Sequence, residues 1–303
     1  MSRLEPPYRL ILDGLQQGIV IPFLGSGASL GAREPGVKWA CDQETCLPNA
    51  NELAEFLARE TTFPKNEPVD LAKVCQYYDI VAGRDPLDEK LHSLFDRDYP
   101  LTSLHHSLAD LTTPLLIVTT NYDDLIERAL KDKRPFDLVI HTVADEVGDR
   151  VLWLQHGEQE PVLINPNKLD IDLGKVTVVY KMHGTVDRRN AQRDQYVITE
   201  DDYIDFLVRM TRKKAIPAIF AEPFQTRHFL FLGYSLRDWN LRVILSRVQK
   251  ELVRRKARSR RREIKSWAIQ YKPSPLEQRF WQERGVEVYD MDIEEFSKRI
   301  KEV

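Results

Sequence analysis

Cysteine is scarce: the chain of 303 residues holds three, Cys41, Cys46 and Cys75, and none of them form a CxxC pair. A disulfide framework draws on an even set of cysteines and a structural zinc on four paired ligands, so neither is expected, and no metal site is expected either. Long hydrophobic runs are also missing. No apolar stretch approaches the roughly 20 residues of a membrane helix, and the start, MSRLEPPYRL, lacks the apolar core of a secretory signal. The expectation is a soluble cytoplasmic protein with no membrane contact. Neither sign of charge dominates: 44 Lys and Arg face 47 Asp and Glu, and a net charge of −3 exerts no global pull on nucleic acid. The dinucleotide fingerprint GxGxxG is absent, because the glycines at 25, 27 and 31 miss its spacing and no P-loop lysine follows them.

What is present is ordinary globular material, 42% hydrophobic and 30% charged. An amphipathic start over Tyr8–Leu15 predicts a helix that ends at Gly18. IVIPFLG, closed by Gly25, is the nearly unbroken apolar run of a strand buried on both faces, although Pro22 removes one ladder donor. NELAEFLARE, VDLAKVCQYYDIV and PLDEKLHSLF then space their apolar residues for helices, which predicts a helical insertion over 32–113. LLIVTT feeds straight into the helical NYDDLIERALKD. Strands follow in DLVIHT, RVLWLQ and VTVVYKMHG, and then a helix in ITEDDYIDFLVRM, with Thr199 as N-cap and Asp202 three residues on. RHFLFLGYS, the helix DWNLRVILSRVQKELV, SWAIQY, PLEQRFWQER, VEVYDM and a last helix complete the alternation. Strands alternating with helices predict an α/β fold, a Rossmann-like doubly wound and mostly parallel sheet, in a single domain spanning 1–303.

In such a sheet ligands bind beyond the carboxyl ends of the strands, and four polar clusters fall there. Gly25-Ser26-Gly27-Ala28-Ser29 reads either as a phosphate-binding turn or as a plain tight turn. In the second cluster, Thr119 to Asp123, Asn121 suits a ribose hydroxyl, a carboxamide or a water, or else serves as a helix cap. His183, beside Gly184, has a side chain fit for general-base work near neutrality, or is a buried structural histidine. The other six histidines lack comparable settings. Gly233, Tyr234 and Ser235 end another apolar strand and read as a grip on ribose or phosphate, or as a turn. The basic run VRRKARSRRREIK offers, in Arg254–Lys265, either a solvated surface or a contact for nucleic acid or an acidic partner.

Taken in order, GSGAS, TTNYDDL, KMHGTVD, ITEDDYIDFL and FLGYSLRDWN resemble the bacterial sirtuin-like NAD hydrolases of anti-phage defence, over about Ile21 to Asn240. The resemblance implies NAD as substrate, with Gly25, Ser26, Gly27 and Ala28 around its phosphates. Asn121 would position the nicotinamide ribose or the attacking water, and His183 would act as base. Asp123 would support the nicotinamide side, with Thr120 beside it. Gly233 and Ser235 would contact the adenosine ribose, with Tyr234 between them. The sequence departs from protein deacylases of the wider sirtuin class: it lacks their zinc cysteine pairs and the acidic-Phe-Arg stretch after the glycine loop. That favours NAD glycohydrolysis over deacylation. A non-catalytic sensor of NAD or ADP-ribose is the alternative, with an NAD-dependent deacylase behind it. The resemblance further implies a homo-oligomer gated by a separate sensor or activator, such as a hexameric ATPase translocase or a short Argonaute-type protein. With little sequence after the Rossmann-type region, sensing is expected to lie in another polypeptide.

Overall fold

Five consecutive buried residues make the first strand, β1 (Val20–Leu24), and its neighbours explain how Pro22 is tolerated there. The carbonyl of Leu24 faces strand β2 (Leu116–Thr119), since it accepts from Thr120 N at 3.2 Å. Side alternation along a strand therefore points the missing donor of Pro22 toward β2 as well, and the β1–β2 ladder begins only at Phe23. On its other side β1 pairs along its whole length with β9 (His228–Leu232).

The computed structural model describes residues 5–31, 33, 37–41, 45–143, 149–211, 216–234 and 265–303. The helix expected at DWNLRVILSRVQKELV, Ser235, and the basic stretch up to Ile264 lie outside them. The remaining strands are β3 (Phe136–His141), β4 (Val151–Leu154), β5 (Val162–Ile164), β6 (Thr177–Lys181), the small pair β7 (Gly184–Thr185) and β8 (Gln195–Tyr196), then β10 (Ser266–Gln270) and β11 (Val286–Asp290). Apart from β7 and β8, these strands form one sheet in the order β11-β10-β9-β1-β2-β6-β3-β4-β5. Every pairing from β11 across to β3 is parallel, and β4 and β5 add an antiparallel edge. The doubly wound, mostly parallel sheet is thus as expected, and the antiparallel edge is an addition. The chain leaves β1 toward β2 and later returns on the opposite side at β9, so strand order reverses at β1 and a crevice opens at its carboxyl end.

Helices cover both faces. One face carries α1 (Tyr8–Gln16), α5 (Ser103–Asp110), α6 (Leu125–Lys131) and α10 (Ile293–Lys301), which bury Ile11, Leu108, Leu130 and Phe296 against Leu24, Ile117 and Leu232. Helix α1 ends as expected, with Gly18 at φ +67°. The other face carries α7 (Glu200–Thr211), α8 (Ala218–Thr226) and α9 (Pro275–Gln282), where Phe206, Phe220 and Trp281 meet Phe23, Val118, Tyr180 and Phe231. Thr199 and Asp202 complete the capping box of α7 reciprocally, Asp202 N donating to Thr199 Oγ1 at 3.1 Å and Thr199 N to Asp202 Oδ2 at 2.9 Å.

Between β1 and β2 come α2 (Ala50–Glu60), α3 (Leu71–Ala82), α4 (Arg84–Phe95) and then α5. The first three build a core of their own around Leu57, Val74, Leu91 and Leu94, which also takes in Tyr196, Ile198 and Leu125. The fourth, α5, packs instead on α6 and α10 and serves as the crossover on the sheet. Helices α2 to α4 therefore rest on the segments that lead into α6 and α7.

Candidate active site at the carboxyl ends of the strands

The loop after β1 is held by backbone. Gly25 N donates to Leu232 O, Gly27 N to Gly233 O and Ala28 N to Gly25 O, each at 2.9 Å. Gly233 sits at φ +70°, and a Cβ added there would lie 2.2 Å from Ala28 N; one on Gly27 would lie 2.8 Å from Gly233 Cα. These glycines let two strand ends touch main chain to main chain. Three of the N–H groups expected to face a phosphate are thereby occupied within the protein. Ser26 is the exposed member of the loop.

Asn121 stands at the end of β2, buried, and its Nδ2 donates to Gly25 O and to Ser29 Oγ at 3.0 Å each. Ser29 passes the chain on, donating to Asp123 Oδ2 at 2.9 Å, while Asp123 Oδ1 accepts from Leu125 N, at the first residue of α6, at 3.1 Å. Asn121 does not cap α6: the N-cap position is Asp124, which makes no side-chain cap bond. What remains of Asn121 is Oδ1, a buried acceptor without a hydrogen-bond partner. Thr120 and Tyr234 join the ends of β2 and β9, the tyrosine hydroxyl donating to Thr120 Oγ1 at 2.8 Å.

His183 follows β6 and is 3% exposed. The rings of Tyr203 and Phe206 on α7 meet its imidazole nearly edge-on, with centroids 5.5 and 5.3 Å away. Its Nε2 is buried and unpaired. Burial lowers its pKa to about 3, so the imidazole is neutral at physiological pH rather than poised near neutrality as the sequence suggested. Register brings the two residues level: Thr119 pairs with Lys181 across β2 and β6, and Asn121 and His183 each lie two residues beyond that pair. A buried polar atom costs free energy unless it is paired, so each of these two atoms, at neighbouring strand ends, has bonding capacity left over.

Sequence reasoning missed the supports of this site. Lys181, with a fully buried side chain, donates to the carbonyls of Tyr122 and Asp123 and pairs with Glu127 Oε1 at 3.0 Å. Tyr203 and Phe206 fell inside the expected helix ITEDDYIDFLVRM, with nothing to single them out. Ser29 was visible in the glycine cluster, but its link to Asn121 was not. A separate cavity of about 400 Å³ lies between α1, α5 and α10 and touches neither Asn121 nor His183. Leucines dominate its walls, with Ser107, Asp110 and Lys301 as its polar lining. Among the described residues, no group of three or more His, Cys, Asp or Glu is placed to hold a metal ion, and no helix is long and apolar enough to cross a membrane.

A doubly wound sheet with polar strand ends gathered where its strand order reverses defines a Rossmann-like α/β protein. More particularly, the chain belongs to the SIR2-like family, whose domain model matches residues 115–289, more than half of its length. It is 31% identical over 229 residues to a protein named NAD(+) hydrolase ThsA from Bacillus cereus, covering 75% of this chain and 39% of that one. A protein of the same name from Acinetobacter baumannii is 32% identical over 233 residues, covering 74% and 38%. Defense-associated sirtuin 2 from Bacillus subtilis is 23% identical over 227 residues, covering 72% and 18%. The chain therefore spans about two fifths or less of the length of these curated relatives.

Proposed function

We propose that the chain is an NAD glycohydrolase, cleaving NAD to nicotinamide and ADP-ribose as an effector of bacterial anti-phage defence. The observation that carries this reading is the pair of buried, unpartnered atoms, Asn121 Oδ1 and His183 Nε2, at the ends of adjacent strands. The names NAD(+) hydrolase and Defense-associated sirtuin among the relatives agree with it.

In the reaction the bond between the ribose C1′ and the nicotinamide nitrogen breaks, nicotinamide leaves as a neutral molecule, and water bonds to the oxocarbenium-like carbon. The leaving group needs no acid, so catalysis rests on placement and electrostatics. Asn121 Oδ1 accepts from the water or a ribose hydroxyl while Gly25 and Ser29 fix the amide's other end. His183 accepts the proton that the water sheds. Its pKa of about 3 makes it a weak base, yet water newly bonded to a cationic carbon is strongly acidic and a weak base suffices. Ser26, the exposed residue of the loop that Gly25, Gly27 and Ala28 shape, takes the phosphate side. Thr120 and Asp123 back the nicotinamide end, while Gly233 and Tyr234 border the adenosine side.

An unrestrained NAD hydrolase would exhaust its own cell, so the activity is gated in the cytoplasm by self-assembly and by a separate sensor or activator, of the hexameric ATPase translocase or short Argonaute type. The basic Arg254–Lys265 run is a candidate contact for that partner or for nucleic acid. The test is to incubate the protein with NAD, alone and with its activating partner, and to quantify nicotinamide. Asn121→Ala, still folded, is expected to lose turnover by about 100-fold or more, as when an electrostatic contact to the transition state is removed. Parent-like cleavage by that variant would remove Asn121 from the mechanism.

A further inference from the structure

The ammonium of Lys181 is one of the most enclosed charges among the described residues, with a side chain 0% exposed. It lies on β6, two residues before His183, yet the groups its ammonium bonds belong to the turn and helix that follow Asn121. It donates to Tyr122 O at 3.3 Å, to Asp123 O at shorter range, and to Glu127 Oε1 at 3.0 Å. The same Tyr122 carbonyl also accepts from Val186 N at 3.0 Å, just beyond β7. Glu127 reaches the lysine from the first turn of α6, and its second oxygen, Oε2, is buried without a partner.

Burying such a pair is costly, and apolar residues of similar size commonly serve stability as well or better. Stability alone therefore does not account for a lysine here, and its placement does. The turn 121–124 is gripped on one side through Asn121 Nδ2, by Gly25 O and Ser29 Oγ, and on the other through the carbonyls held by Lys181. Because that second grip springs from the last residue of β6, two residues before His183, one side chain ties the amide-bearing turn to the segment that bears the imidazole.

We propose that Lys181 and Glu127 form a positioning clamp that sets Asn121 against His183, so that the pair governs the bond-breaking step and not the binding of NAD. This rests on the NAD glycohydrolase reading. Neither residue touches the reacting atoms; misplacing a catalytic group by about 1 Å costs on the order of 100-fold in rate. The clamp therefore shows itself in kcat.

The experiment compares the parent with Lys181→Met/Glu127→Leu, which removes both charges together and leaves no buried ion alone, and with Glu127→Gln, which keeps size and a hydrogen bond. Steady-state nicotinamide release with activating partner present gives kcat and KM, and hydrogen exchange of the protein alone reads the turn directly. The double variant is expected to lose about 10-fold or more in kcat with KM within about threefold of the parent. Its amides at 121–125 exchange faster while those of β9 do not change. Glu127→Gln falls between the two in kcat at unchanged KM. A folded double variant with parental kcat, a loss confined to KM, or unchanged exchange at 121–125 overturns the proposal; if the double variant does not fold, parental kcat in Glu127→Gln overturns it. A parent that releases no nicotinamide refutes the NAD glycohydrolase reading instead, and exchange at 121–125 then decides whether the clamp exists.

Discussion

Burial makes a histidine in this protein a different acid–base group from one in water. His183, His141 and His105 all have pKa values lowered to about 3, and loss of hydration is the leading cause in each. His141 is lowered further by Arg209 and by His183 itself. The folded values lie below the ordinary one, so the unfolded chain binds the extra protons between about pH 6.5 and 3. The stability these groups contribute is complete above pH 6.5 and is lost as pH falls through that window, at most about 1.4 kcal/mol per pH unit for each. Asp88, raised by burial from 3.8 to about 6, works the other way between those two values. In a proton NMR titration from pH 8 to 5 the ring signals of these three histidines are expected to stay flat, and NAD cleavage to show no acid limb near pH 6.5. A His183 signal moving with a midpoint near 6.5 would contradict both.

Among the elements, α7 matters most, because its inner face supplies Tyr203 and Phe206 to the walls around His183. Its start is fixed by the reciprocal bonds of Thr199 and Asp202, and Arg84 of α4 adds two more to the same carboxylate, at 3.1 and 2.9 Å. Thr199→Ala is expected to cost about 1 kcal/mol, the usual loss for an N-cap, seen as a lower urea midpoint at unchanged slope; an unchanged midpoint would mean that the bonds to Asp202 from the backbone and from Arg84 hold the helix start without the hydroxyl. This box was legible from the spacing of Thr199 and Asp202, as were the long central strands, which announce burial on both faces by unbroken apolar runs. Strand β5 was not, because three half-exposed residues carry no periodicity, and α8 was not, because Pro223 inside it imitates a break. Asn121 and His183 stood out because polar residues at strand ends are conspicuous. Lys181 and Glu127 did not, since their meeting depends on β6 and α6 lying side by side, which no local window contains.

For the molecule as a whole, strand order decides where chemistry can gather. Reversal at β1 brings segments from the start, middle and later part of the chain to one edge. The absent zinc cysteines bear on the same scale, because a hydrolase needs only water where a deacylase needs a peptide. Nicotinamide release is therefore expected to proceed at one rate with and without an added acyl-lysine peptide, and release that appears only with peptide would restore the deacylase reading. The contact of Gly25 and Gly27 with Gly233 reaches further than any of these assays. At each of the three an added methyl would lie within 3.0 Å of backbone from the opposite loop, which main chain cannot vacate as a flexible side chain can. Selection for folding alone, in a background whose chemistry has been silenced, should still return glycine at all three positions. Intolerance to change at this spot thus reports architecture before it reports ligand, and a mutational map of the protein has to be divided accordingly.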